Sequence, residues 1–156
     1  MLGADYFRGR WTVIAAVVVS VAAVLANAAP TEPVTLADLK AKLSSANDGA
    51  KPHLCVQIAE MQLTETDKLF AGAEDEKARE TLTDVVTYSE MARDYAIQSR
   101  KYQKQTEIAV RGMTRKLTEV MHSLAHDDQA PVLDAVKRLQ RVRDDLLTAM
   151  FPKAIR

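Results

Sequence analysis

Gln98-Ser99-Arg100-Lys101-Tyr102-Gln103-Lys104-Gln105 decides what kind of helical protein this chain is. The stretch contains no Gly, Pro, Asn or Asp, so nothing in it announces a turn. Ahead of it, steps of four and three place Ala78, Leu82, Val85, Ser89, Ala92, Ala96 and Ser99 on one stripe. Gln103 and Thr106 continue that stripe, and Val110, Met113, Leu117, Val120 and Leu124 complete it. This is a heptad-like seam with a polar, small-residue middle. One helix over about 74–125 satisfies the pattern, with about 50 residues and a length of roughly 75 Å. A bend within 98–105 satisfies it equally, giving two helices of about 25 residues each and a closed bundle of four. Local chemistry favours the continuous helix and compactness favours the bend. The expected fold is all-α: a helical bundle, or an extended hairpin assembly with one long helix flanked by shorter ones.

Outward from the seam, Pro and Gly fall only at boundaries. Toward the C-terminus, His126-Asp127-Asp128-Gln129-Ala130-Pro131 marks a new helix, with Asp caps and Pro in a first turn. Its stripe is Val132 or Leu133, Val136, Leu139, Val142, Leu146 and Met150, ending before Pro152. Toward the N-terminus, Ala71-Gly72-Ala73 breaks the chain, and Glu74, Asp75 and Glu76 suit the positive end of the helix that follows. A helix over about 52–71 precedes it, with Leu54, Ile58, Met61 and Leu69 as its clearest stripe. Thr35 is placed to cap a short helix, with Asp38 completing a capping box and Leu36, Leu39 and Leu43 facing inward. Five Gly and five Pro in 156 residues suit an all-helical domain. Residues 35–151 read as that single domain, 29–34 as a linker and 152–156 as a tail.

The first thirty residues read differently. Arg8 and Arg10 precede an uncharged run from Trp11 to Leu25, and Ala26-Asn27-Ala28 follows as a small-x-small site. These are the parts of a secretory signal over 1–28, with cleavage between Ala28 and Ala29. The apolar run is roughly 22 Å as a helix, short of a hydrocarbon core of roughly 30 Å. The chain is therefore expected to be exported, to the periplasm or beyond the cell. The alternative is an uncleaved anchor made by residues 11–29. Export with a single cysteine, Cys55, excludes an internal disulfide, so stability rests on helix packing. Cys55 itself reads as a small core residue, against a reactive thiol or an intermolecular bridge.

Two resemblances accompany this reading. Phe70 to Ala78, with Leu82 and Val85, resembles the inter-helix part of a tetratricopeptide hairpin, which implies two antiparallel helices meeting at Ala71–Ala73. The mature chain also resembles an uncharacterised group of small exported bacterial helical proteins, on Leu54-Cys55-Val56-Gln57-Ile58-Ala59-Glu60, on Asp84-Val85-Val86-Thr87-Tyr88-Ser89 and on Asp127 to Phe151. That resemblance implies a shared fold and an envelope location, and no activity.

Tests for chemistry find little. Glu119, His122 and His126 read E-x-x-H-x-x-x-H, a spacing that brings metal ligands to one face of a helix. His53 is the only other histidine, so no second Glu-x-x-His exists for a di-iron pair. A solvated His122 and a His126 near a helix terminus account for the pattern without a metal. No G-x-S-x-G, Gly-rich phosphate loop or C-x-x-C occurs, and neither an enzyme nor a cofactor is expected.

Charge is more informative, although the net charge is zero. Glu60 to Asp94 is dominated by carboxylates, whereas Arg100, Lys101, Lys104, Arg111, Arg115 and Lys116 stand against Glu107 alone. Neutralisation between packed helices is one reading. The other is an interaction face made of Arg100, Lys101, Lys104, Arg111 and Arg115 with Tyr88, Tyr95 and Tyr102, which recur every seven residues. The function expected is an exported, non-catalytic interaction or scaffold protein of the cell envelope. Its partner is an unknown envelope protein or a second copy, with an anionic membrane surface as a further option and nucleic acid disfavoured by export. The alternative is a metal- or small-ligand-binding bundle using Glu119, His122 and His126.

Overall fold

In the computed structural model the chain divides into Met1–Pro33 and Val34–Arg156, and the structure describes residues 33–152. The signal segment, Ala28 and Ala29 lie outside the described residues. Five helices follow in order: α1 Leu36–Ser45, α2 Lys51–Ala71, α3 Asp75–Ser99, α4 Gln103–Ser123 and α5 His126–Met150. None of the helices in the described residues is long and apolar enough to cross a membrane.

The fold is an all-α bundle, and the seam bends. α3 stops at Ser99 and α4 starts at Gln103, so the expected single helix over 74–125 is corrected to two. Arg100 and Tyr102 hold the reversal with φ of 56° and 61°. Left-handed conformations at non-Gly residues cost about 1–2 kcal/mol each. The cost is offset by tertiary packing, because reversal lets the buried stripes of both halves share one core. Ala78, Leu82, Val85, Val86 and Ala96 of α3 join Val110, Met113, Leu117 and Val120 of α4 and Val132, Val136, Leu139, Val142 and Leu146 of α5. Burial of a single Val or Leu side chain contributes about 1.5–3 kcal/mol, so the core outweighs two strained residues.

Ion pairs fix the helix directions. Arg79 reaches Asp128 and Arg93 reaches Asp145, so α3 and α5 run parallel. Lys116 reaches Asp67, so α2 and α4 also run parallel. Arg143, late in α5, reaches Glu107, early in α4, which makes that pair antiparallel. The α2–α3 and α4–α5 hairpins therefore form an up-down-up-down bundle. α2 packs on α3 and α4, α3 and α4 also pack on each other, and α5 packs on α3 and α4. The short α1 lies against α2, with Lys40 reaching over the Tyr88 ring of α3.

Local signals explain most boundaries. Thr35 caps α1 in a reciprocal box: the Asp38 N–H donates to its Oγ1 at 3.2 Å, and the Thr35 N–H donates to the Asp38 carboxylate at 3.0 Å. α2 ends in a Schellman-type turn, with Glu74 N–H donating to Leu69 O at 2.9 Å and Ala73 N–H to Phe70 O at 3.2 Å. Ala73, not Gly72, takes the left-handed position, with φ of 56°. The antiparallel hairpin expected at this point is present.

Two expectations of detail are corrected. α2 buries Cys55, Ile58, Ala59, Gln62, Leu63, Thr66 and Phe70, a stripe rotated from Leu54, Ile58, Met61 and Leu69. The rotation is possible because its polar members are satisfied. Thr66 donates to Gln62 O at 2.8 Å, and the Gln62 amide donates to Asp84 of α3. α5 starts one residue earlier than its acidic pair, with Ala125 as an uncapped N-cap and His126 already helical. Asp127 and Asp128 serve its first turn as charges rather than caps.

Candidate functional site

α4 buries Thr106, Glu107, Val110, Met113, Leu117 and Val120. At 100° per residue, the direction opposite that face is occupied by Lys104, Ile108, Arg111, Arg115, Glu119 and His122. All six are exposed, Ile108 to 47%. Gly112 borders the row, and a Cβ added there meets nothing within 4 Å. The site is thus a predominantly basic row, Lys104, Arg111 and Arg115 with Ile108 among them, followed by Glu119 and His122, along the outside of the bundle.

Among the described residues, six ion pairs join the helices to one another. Arg138 grips the Glu90 carboxylate with two hydrogen bonds, at 3.1 and 2.9 Å. Arg93 bonds Asp94 and Asp145, which raise its pKa, with the Asp94 hydrogen bond the larger cause. Lys116 is held by Asp67 at 2.9 Å, and that hydrogen bond raises the ammonium's pKa. Glu107, 7% exposed, is held by Arg143 at 2.9 Å and lies 3.8 Å from Arg111. Neutralisation between helices, expected from the charge pattern, therefore joins α3 to α5 at three points, while Lys137 and Arg141 of α5 make no ion pair among the described residues. It does not extend to the outer row: Lys104 and Arg115 make no ion pair among the described residues, nor do Arg100 and Lys101 in the adjoining turn.

The structure separates the rest of the expected interaction face. Tyr88 and Tyr95 are half-buried on α3, each with a lysine over its ring, Lys40 at 5.5 Å and Lys51 at 5.0 Å. Tyr102 lies outside both helices, in the α3–α4 turn, 42% exposed and stacked on His53 with ring centroids 5.7 Å apart. The seven-residue tyrosine row thus ends at Tyr95. Of that face, Arg100, Lys101, Tyr102, Lys104, Arg111 and Arg115 share the turn and the outside of α4. Ile108 and His53 were not expected there. The spacing of Lys104, Ile108, Arg111 and Arg115 carried the signal for Ile108. Nothing local links His53 to Tyr102, 49 residues away.

The metal triad is not assembled. α4 ends at Ser123, so His126 opens α5 instead of continuing the face that carries Glu119 and His122. Among the described residues no three His, Cys, Asp or Glu side chains gather as metal ligands. Cys55 is fully buried, and burial pushes its thiol up to about 11, which removes thiolate character at neutral pH. Cys55 is thus the core residue that its apolar neighbours led one to expect. An open groove of about 410 Å³ lies between α1 and α2, lined by Val34, Leu39, Leu54 and Met61 with Lys42 and Glu60 at its rim. It contains no convergent set of catalytic groups.

Compared with protein-family models, with curated proteins and with solved structures, the chain matches none significantly.

Proposed function

We propose that this chain is an exported, non-catalytic helical interaction module of the cell envelope, docking an acidic protein surface on the outside of α4. The observation that carries the reading is the exposed row Lys104, Ile108, Arg111 and Arg115, in which Lys104 and Arg115 make no ion pair among the described residues and Arg111 lies 3.8 Å from Glu107, a carboxylate already held by Arg143. Arg and Tyr are over-represented at the energetic centres of interfaces, and here Tyr102 and Ile108 add apolar contact beside the cations. Charge on such a face steers encounter and selects partners of opposite sign. The apolar N-terminal run and the Ala26-Asn27-Ala28 site support export, and the resemblance to small exported helical proteins supports an envelope location.

The test is co-purification of the full chain from envelope fractions, beside the variant K104E/R111E/R115E. The reading expects a stoichiometric partner with an acidic face that the variant loses while keeping its helical circular dichroism. Equal recovery of that partner by the variant would refute it. Pelleting with anionic liposomes in place of a protein would transfer the face to lipid.

A further inference from the structure

The α3–α4 connection is only three residues long, and two of them stand in the left-handed region, Arg100 at φ 56° and Tyr102 at 61°. Neither is Gly, and α4 has no side-chain cap at its N-terminus. The same residues are ordinary helix formers, and the seam keeps its step through them: Ala92, Ala96, Ser99, Gln103, Thr106 and Val110 share one face of a continuous helix. Within the seam, local preference and observed conformation therefore disagree only at this turn. What holds the turn closed is the packing of the α2–α3 hairpin on the α4–α5 hairpin. A second copy of the chain offers that packing surface in identical form.

We propose that this molecule exchanges hairpins with a second copy of itself. In the exchanged dimer α3 and α4 join into one helix from Asp75 to Ser123, about 49 residues and roughly 74 Å long. The α2–α3 hairpin of each copy then completes the bundle of the other. Arg79–Asp128, Glu90–Arg138, Arg93–Asp145 and Asp67–Lys116 are all made again, now between chains. The contacts given up are local to the turn: the stack of Tyr102 on His53, and Lys101 lying along Gly49. In return Arg100 and Tyr102 leave the left-handed region in both chains. Short hinges under strain are the recognised setting for this exchange. The proposal rests on the hinge and is independent of what docks on α4.

Spin labels at E76C and E119C in the full chain test it, with buried Cys55 left in place. In the closed bundle both sites lie toward the end where α3 begins and α4 finishes, at about 15–30 Å, set by helix spacing. In the joined helix they are 43 positions apart, roughly 65 Å. Labelled chain is mixed with a large excess of unlabelled chain, unfolded and refolded at rising concentration, and the monomer and dimer fractions are separated. The short distance is expected in the monomer and the long one in the dimer. R100G/Y102G, which tolerates the turn and weakens the joined helix, is expected to lower dimer formation on the order of a hundredfold while retaining the fold. A dimer showing only the short distance would overturn the proposal. So would the absence of any dimer up to millimolar concentration, or a dimer population indifferent to R100G/Y102G.

Discussion

At the residue scale, two buried side chains give direct tests of the core. Cys55 is wholly inside, and its thiol is raised from an ordinary 9.0 to about 11 by burial, opposed in part by Lys51. The unfolded chain therefore releases this proton first as pH rises. Stability that is complete below about pH 9 is lost progressively toward about pH 11. Denaturant titrations across that range are expected to show a steeper alkaline loss in wild type than in Cys55→Ala, which lacks the group. A thiol reagent should leave the native chain unmodified at neutral pH and react once it unfolds. Thr106 is the second test, with its hydroxyl buried and without a hydrogen-bond partner among the described residues. Removing an unpaired buried hydroxyl in favour of a methyl group is neutral or favourable, so Thr106→Val should gain about 1 kcal/mol in urea unfolding. A loss of that size would mean the hydroxyl has a partner. The sequence made Cys55 legible through its apolar neighbours, whereas Thr106 looked like part of a polar interruption and proves to be core.

At the element scale, helix ends are where local signals succeeded and where they failed. The capping box at Thr35 and Asp38 and the break at Ala71–Ala73 formed where the sequence placed them. Ala73 holds the left-handed position that Gly occupies without a Cβ penalty, so Ala73→Gly is expected to stabilise by about 0.5–1 kcal/mol in thermal or urea unfolding. On α4, Gly112 sits in an exposed helix interior with open space around it, and Gly112→Ala should add about 1 kcal/mol. The α3–α4 reversal was legible only as the alternative of a bend within 98–105, because Arg100, Lys101 and Tyr102 carry no turn preference. Their conformation is imposed by residues far along the chain, the core stripes of α3, α4 and α5. The seam positions were nonetheless read correctly from Ala78 to Ala96 and from Val110 to Val120, since a bend of three residues leaves each half facing inward.

At the scale of the whole molecule, neutral net charge conceals an uneven surface. Three acid–base pairs join α3 to α5, and on the outside of α4 Lys104 and Arg115 stay unpaired among the described residues. Sequence counting located the basic stretch, but which charges remained outward depended on the packing order of the helices, which no local pattern encodes. Glu119 and His122 are separated from His126 for the same reason, since their common face required one helix to run from Glu119 through His126. A partner held by the α4 row should bind less tightly as salt rises, because exposed charges are screened beyond about 10 Å at 0.1 M ionic strength. The most direct measurement is a photo-crosslinking residue placed at Ile108 in whole cells. One discrete adduct is expected, lost with K104E/R111E/R115E and absent when the probe stands at Glu80 on the outside of α3. No adduct at Ile108, or an adduct unchanged by the charge reversal, would contradict docking on α4.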